Sequence, residues 1–134
     1  MATWDDVRRI ALGLPQTSER SSEGRARWRV KDKGFVWDRP LRRADLEALG
    51  DRAPVGPILA AHVEHVGIKE ALLATDPDVF FTTPHFDGYA AVLVRIPQLA
   101  RLERDELEDL VAEAWLTRAQ KRVAKAWLAE HAVG

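Results

Sequence analysis

The sequence predicts an α+β fold, a two-layer sandwich in which a single antiparallel sheet of about five strands carries N- and C-terminal helices. Three observations lead there. Apolar residues recur at helical spacing near both ends of the chain, at Trp4, Val7, Ile10, Ala11 and Leu14 and again at Leu107, Leu110, Val111, Ala114 and Trp115. Between those ends the spacing falls to two, as where Ala26, Trp28 and Val30 alternate with Arg25, Arg27 and Arg29. The strand-like runs also follow one another without a helix after each, which argues against a doubly wound parallel sheet. A length of 134 residues suits one domain spanning 1–134, because two half-length domains would each bury too little surface.

Each element has its own local cause. Helix one runs from about Thr3 to Gly13, where Gly13 and Pro15 stop it. Residues 16–24 are polar and read as loop. Alternation from Arg25 predicts a half-buried strand with one cationic face. Asp32-Lys33-Gly34 then turns the chain into a returning strand at Phe35-Val36-Trp37. Leu41 to Leu49 forms a short helix closed by Gly50. Ile58 to Val66 reads as strand, and Lys69 to Ala74 as a short helix ended by Asp76-Pro77. Val79 to Thr83 and Tyr89 to Ile96 are two more β-rich runs, paired through Pro84-His85-Phe86-Asp87-Gly88. A long C-terminal amphipathic helix then continues through Leu116, Ala119, Val123 and Trp127, with a bend near Thr117.

Composition excludes several classes of function. Hydrophobic residues make up 46% and charged residues 31%, enough to bury a core and far from a disordered composition. Lys+Arg 20 against Asp+Glu 21 leaves a net charge of -1, so no global field draws the protein to a charged partner. With Cys 0, disulfides, thiol catalysis and cysteine-ligated metals are excluded. No apolar run approaches the ~20 residues of a membrane-spanning helix, and the N-terminus lacks a signal-peptide pattern. A cytoplasmic protein with no membrane association is expected.

The local charge is a different matter. From Arg25 to Arg43 stand eight basic and two acidic residues, so this stretch carries +6 while the remaining 115 residues carry -7. Side chains two apart on a strand share a face and stand about 6 to 7 Å apart, comparable with the phosphate repeat of a nucleic-acid strand. Arg25, Arg27, Arg29, Lys31 and Arg43 are therefore the candidate nucleic-acid-binding residues, with Trp28 or Trp37 as a stacking surface. The competing explanation is a solvated sheet face, or a charged row protecting an edge strand from self-pairing. Arg118, Lys121, Arg122 and Lys125 form a second basic stripe, read as a solvated helix face; binding gains support if both stripes share one side.

A second candidate is a ligand loop in which Thr83, His85, Asp87 and Tyr89 gather a hydroxyl, an imidazole, a carboxylate and a phenol. His85 oriented by Asp87 has the chemistry of a general base, although Pro, Asp and Gly there are also ordinary turn residues. His62, Glu64 and His65 contain metal-ligating groups, but on a strand His65 points away from the other two, so no metal site is expected. Phosphate-cradling glycine loops, nucleophile elbows and paired zinc histidines are missing. No enzymatic activity and no cofactor are expected.

Three segments resemble the MmcQ/YjbR-like family: Trp4-Asp5-Asp6-Val7 with Leu14-Pro15, then Phe80 to Tyr89 with Val92-Leu93-Val94-Arg95, and Glu113-Ala114-Trp115 with Lys121-Arg122. The resemblance covers nearly the whole chain, and Thr83-Pro84-His85-Phe86-Asp87-Gly88-Tyr89 is its most specific part. It implies a secretion-chaperone-like or CyaY-like two-layer fold with one antiparallel sheet. It also implies DNA binding of the "double-wing" type, and it carries over no catalytic residues. The expected function is thus weak, sequence-independent binding of DNA through backbone phosphates, by a monomer or homodimer. Two alternatives stay open: a protein-interaction or chaperone-like module with a protein partner, and small-molecule binding at the His85 loop.

Overall fold

A computed structural model describes residues 4–22, 25–39, 41–52, 58–77, 79–83, 86, 88–95 and 104–131. Its elements follow in the order α1 (Trp4–Leu12), β1 (Thr17–Ser22), β2 (Arg25–Val30), β3 (Lys33–Asp38), α2 (Arg43–Leu49), a 3-10 turn (Gly50–Arg52), β4 (Ile58–His62), α3 (Val66–Thr75), β5 (Phe80–Phe81), β6 (Ala91–Arg95), α4 (Arg104–Arg118) and α5 (Lys121–His131). The architecture is α+β: an open antiparallel sheet in the order β1-β2-β3-β4-β6-β5, flanked by the N- and C-terminal helices. Among the described residues no helix is long and apolar enough to cross a membrane.

One face of the sheet carries the main core. Val7 and Ala11 of α1 and Leu107, Val111, Ala114 and Trp115 of α4 pack with Trp28, Val30, Val36, Leu59, Ala61 and Val92 from the strands. Each large side chain buried this way contributes about 1.5 to 3 kcal/mol. Both buried indoles have partners for their N–H groups: Trp28 donates to the Glu19 carboxylate at 2.9 Å and Trp115 to the Pro15 carbonyl at 3.0 Å. The Trp115 bond ties α4 to the turn that follows α1.

The opposite face carries a smaller apolar cluster of Ile58, Ala60, Phe81, Phe86, Ala91 and Leu93, bordered by Trp37, Leu41 and Leu49. A buried ion pair holds α2 beside it. Arg39 donates to Asp45 Oδ2 at 3.1 Å, the Arg42 backbone N–H donates to the same oxygen at 2.8 Å, and the Arg39 guanidinium lies 5.3 Å from the Phe86 ring centroid. Burial pushes the Asp45 carboxyl up, but the Arg42 amide and the Arg39 cation outweigh it and hold the group below 3.8.

Several boundaries differ from the sequence pattern. β1, Thr-Ser-Glu-Arg-Ser-Ser, lies where a polar loop is expected; as the edge of the sheet it buries little and so carries no apolar alternation. The expected strand over 58–66 ends at His62, and α3 begins at Val66 because Ile68, Leu72 and Leu73 pack on the core from helical spacing. β2 stops at Val30, where Lys31 takes a left-handed turn conformation with φ 55. In place of a bend near Thr117, α4 ends at Arg118 and α5 starts at Lys121. Pro84, His85 and Asp87 lie outside the described residues.

Candidate functional site

Strand register places the first members of the site. Arg27 of β2 stands opposite Trp37 of β3, and Trp37 stands opposite Ala60 of β4. His62 is two residues beyond Ala60 and therefore shares its face, diagonal to Trp37. The Arg27 guanidinium lies over the Trp37 indole at 5.4 Å, and the Trp37 and His62 ring centroids are 5.1 Å apart. Gly34 makes room for this arrangement, since a Cβ there would sit 3.2 Å from Arg27 Cδ.

Tyr89 comes from the segment before β6. The buried Lys69 ammonium donates to the Phe86 carbonyl at 2.6 Å and to the Tyr89 carbonyl at 3.1 Å, which fixes the backbone there, while Gly88 supplies a φ of 75 for the turn. The Tyr89 ring meets the His62 ring edge-on at 5.5 Å yet stays 45% exposed. Arg118, at the C-terminal end of α4, completes the group. Its Nη2 lies 3.2 and 3.0 Å from the two His62 ring nitrogens and 3.4 Å from the Tyr89 hydroxyl.

These side chains surround a pocket of about 300 Å³ lined by Arg27, Lys33, Trp37, His62, Tyr89 and Arg118, with Gly34 in its wall. A second cavity of about 190 Å³ shares Lys33 and Arg118 and continues along Val30, Lys31, Asp32 and Gln120. Among the described residues, Arg27, Lys33 and Arg118 form no ion pair with a carboxylate, unlike Arg8, Arg9, Arg29, Arg39 and Arg43. The His62 imidazole is neutral at pH 7: burial first, then the Arg118 and Arg27 cations, lower its pKa to about 4 against an opposing pull from the Ala90 backbone. The pocket therefore presents three cations with no carboxylate partner among the described residues, a neutral imidazole and aromatic rings.

The residues singled out in the sequence are divided by the fold. Arg25 and Arg27 are exposed on β2, which lies inside the sheet between β1 and β3, so their charge is no guard for an edge. Arg29 instead donates to the Asp32 carbonyl at 3.0 Å and faces its carboxylate at 3.6 Å. Lys31 leaves the strand row for the turn, and Arg43 faces Glu47 across one turn of α2 at 3.5 Å. Of the loop candidates, Tyr89 reaches the pocket, Thr83 is buried at 1% exposure and lines neither cavity, and His85 and Asp87 lie outside the described residues. Trp28 is fully buried, which leaves Trp37 as the tryptophan at the site. Lys33, His62 and Arg118 belong to the site without standing among the residues first singled out for it. Among the described residues no three His, Asp or Glu side chains are placed to hold a metal ion.

Fold and site together define a small α+β protein with a cationic, ring-lined pocket on one face of an open antiparallel sheet. A family model described as YjbR matches residues 12–117, and the chain belongs to this family. Two mycobacterial relatives, Uncharacterized protein Rv2570 of Mycobacterium tuberculosis (strain ATCC 25618 / H37Rv) and Uncharacterized protein Mb2600 of Mycobacterium bovis, are each 52% identical over 132 residues, which is 96% of this chain and 98% of the relative. The crystal structure of Deinococcus radiodurans protein DR2400, with family-model domain DUF419, is similar at a TM-score of 0.66 and 19% identity, over 97% of this chain and 88% of that one. At that identity the likeness concerns the fold alone.

Proposed function

We propose that this protein binds nucleic acid weakly and without sequence specificity, through backbone phosphates held where Arg27, Lys33 and Arg118 meet. The observation that supports this reading is the convergence of those three cations, none paired with a carboxylate among the described residues, on one pocket with open aromatic surface. Arg25, exposed on the same strand two residues before Arg27, lies near the Asp38 carboxylate and favours its charged form. The role is binding and not catalysis. An imidazole whose pKa is about 4 is a weak base at pH 7, and the other pocket groups are cations and rings suited to holding charge.

Fluorescence anisotropy with labelled duplex DNA, single-stranded DNA and RNA across a salt series tests the reading. Log affinity falls linearly with log salt at a slope equivalent to about 3 phosphates, and Arg27→Glu or Arg118→Glu each weakens binding about tenfold or more. Arg29→Glu has a smaller effect, because Arg29 is already engaged by Asp32. Absence of binding to all three probes at about 50 mM salt overturns the proposal.

A further inference from the structure

We infer that the pocket and the cavity beside it form one track for a single-stranded segment, with a base laid against Tyr89 and the adjoining phosphate held between Lys33 and Arg118. The inference rests on the phosphate-binding reading above and adds the state of the strand. Lys33 and Arg118 line both cavities, so the two cations stand within reach of each space, of about 300 and 190 Å³. A chain in which flat rings alternate with phosphates matches that order: ring space, shared cations, second space.

The ring space also has the character a base requires. Tyr89 is exposed enough to stack against, yet its backbone is tied down by Lys69, its edge rests on His62, and its hydroxyl lies near Arg118. Trp37 plays another part: its indole backs the Arg27 guanidinium, which lies over it at 5.4 Å. His62 is buried and neutral, so that wall favours an uncharged ring and leaves the phosphate to the cations. In the second space Asp32 and Gln120 offer hydrogen-bonding groups to a base edge. A pocket of this size admits one unstacked base, whereas in a duplex the flat faces of the bases are covered by their neighbours and only phosphates are within reach.

The test uses the full chain, a labelled thirty-residue oligothymidylate, and the same strand annealed to oligoadenylate of equal length, compared by anisotropy at equal salt and below the melting temperature of the duplex. The single strand binds about tenfold or more tightly than the duplex. Tyr89→Ala weakens single-strand binding about tenfold without changing the salt slope, Tyr89→Phe retains it, and Lys33→Ala lowers the slope by about one. Melting temperatures of the variants confirm that they are folded. Equal or tighter duplex binding overturns the track but leaves the phosphate reading standing, as does a folded Tyr89→Ala variant that binds like the parent. Failure of both probes to bind at about 50 mM salt overturns the track, and failure of labelled RNA as well overturns the phosphate reading with it.

Discussion

Nη2 of Arg118 lies 3.0 Å from Nε2 of His62, joining the end of α4 to the end of β4 across 56 positions of sequence. The contact is a hydrogen bond only while the imidazole is neutral and can accept. Protonation would place two cations against each other in a buried site, and this repulsion adds to burial in holding the His62 pKa near 4.

A pH dependence of stability follows. The unfolded chain protonates this imidazole near 6.5, whereas the folded protein keeps it neutral down to about 4, so unfolding takes up a proton between those values. Stability is therefore full above pH 6.5 and falls as pH drops towards 4, by on the order of 1 to 2 kcal/mol after solvent screening. His62→Gln flattens this window in melting temperatures recorded from pH 7 to 4. An unchanged profile would exclude His62 as the responsible group.

Gly34→Val separates binding from stability. The new side chain begins 3.2 Å from Arg27 Cδ and pushes that guanidinium off the Trp37 ring, while the backbone of Gly34 needs no left-handed conformation. Oligonucleotide affinity drops severalfold, and the melting temperature stays within a few degrees or rises, because a β-branched residue suits a strand. A loss of stability without loss of affinity would contradict this.

Asp45→Ala is expected to be among the more destabilising single changes. It leaves the Arg39 guanidinium buried without its carboxylate and removes the acceptor of the Arg42 N–H, at a cost of about 3 kcal/mol, or about 10 °C in melting temperature. Exchanging both partners, Arg39→Met with Asp45→Leu, recovers most of the loss. In the parent protein the contribution of Asp45 is present above pH 3.8 and is lost as pH falls through the lower folded value.

Lys69→Met tests how far the Tyr89 backbone depends on a buried ammonium. Two carbonyls lose their donor, at a cost of about 2 to 3 kcal/mol, and amide hydrogen exchange quickens at Tyr89 and Ala90. Unchanged exchange at those amides would show that the turn holds without Lys69.

The helices at both ends and the β2–β3 hairpin were legible because single local periods generate them. Val7, Ala11, Leu107, Val111 and Trp115 fall on buried helical stripes, and Ala26, Trp28 and Val30 on one buried strand face. β1 was not legible, since a polar edge strand takes its stability from pairing with β2 and has no apolar signature of its own. Assembly of the site was hidden for a related reason. Arg27 and Tyr89 were visible as members of separate candidate groups, but only the register of β2, β3 and β4 brings Arg27 beside His62. Arg118 read as one of four cations on a helix face, and the break before Lys121 separates it from the other three. Trp28 and Trp37 look alike in sequence; one residue of alternation puts the first in the core and leaves the second on the opposite face.

The pocket draws its side chains from β2, β3, β4, the turn before β6 and the last residue of α4, so no contiguous piece of the chain contains it. A nascent or partly unravelled molecule that still pairs β2 with β3 keeps its row of arginines but not the enclosure completed by Arg118. Occupancy is thereby coupled to completed tertiary structure, and a ligand seated there acts as a clasp between α4 and the sheet. At a hundred times its dissociation constant such a ligand adds about 2.7 kcal/mol against unfolding.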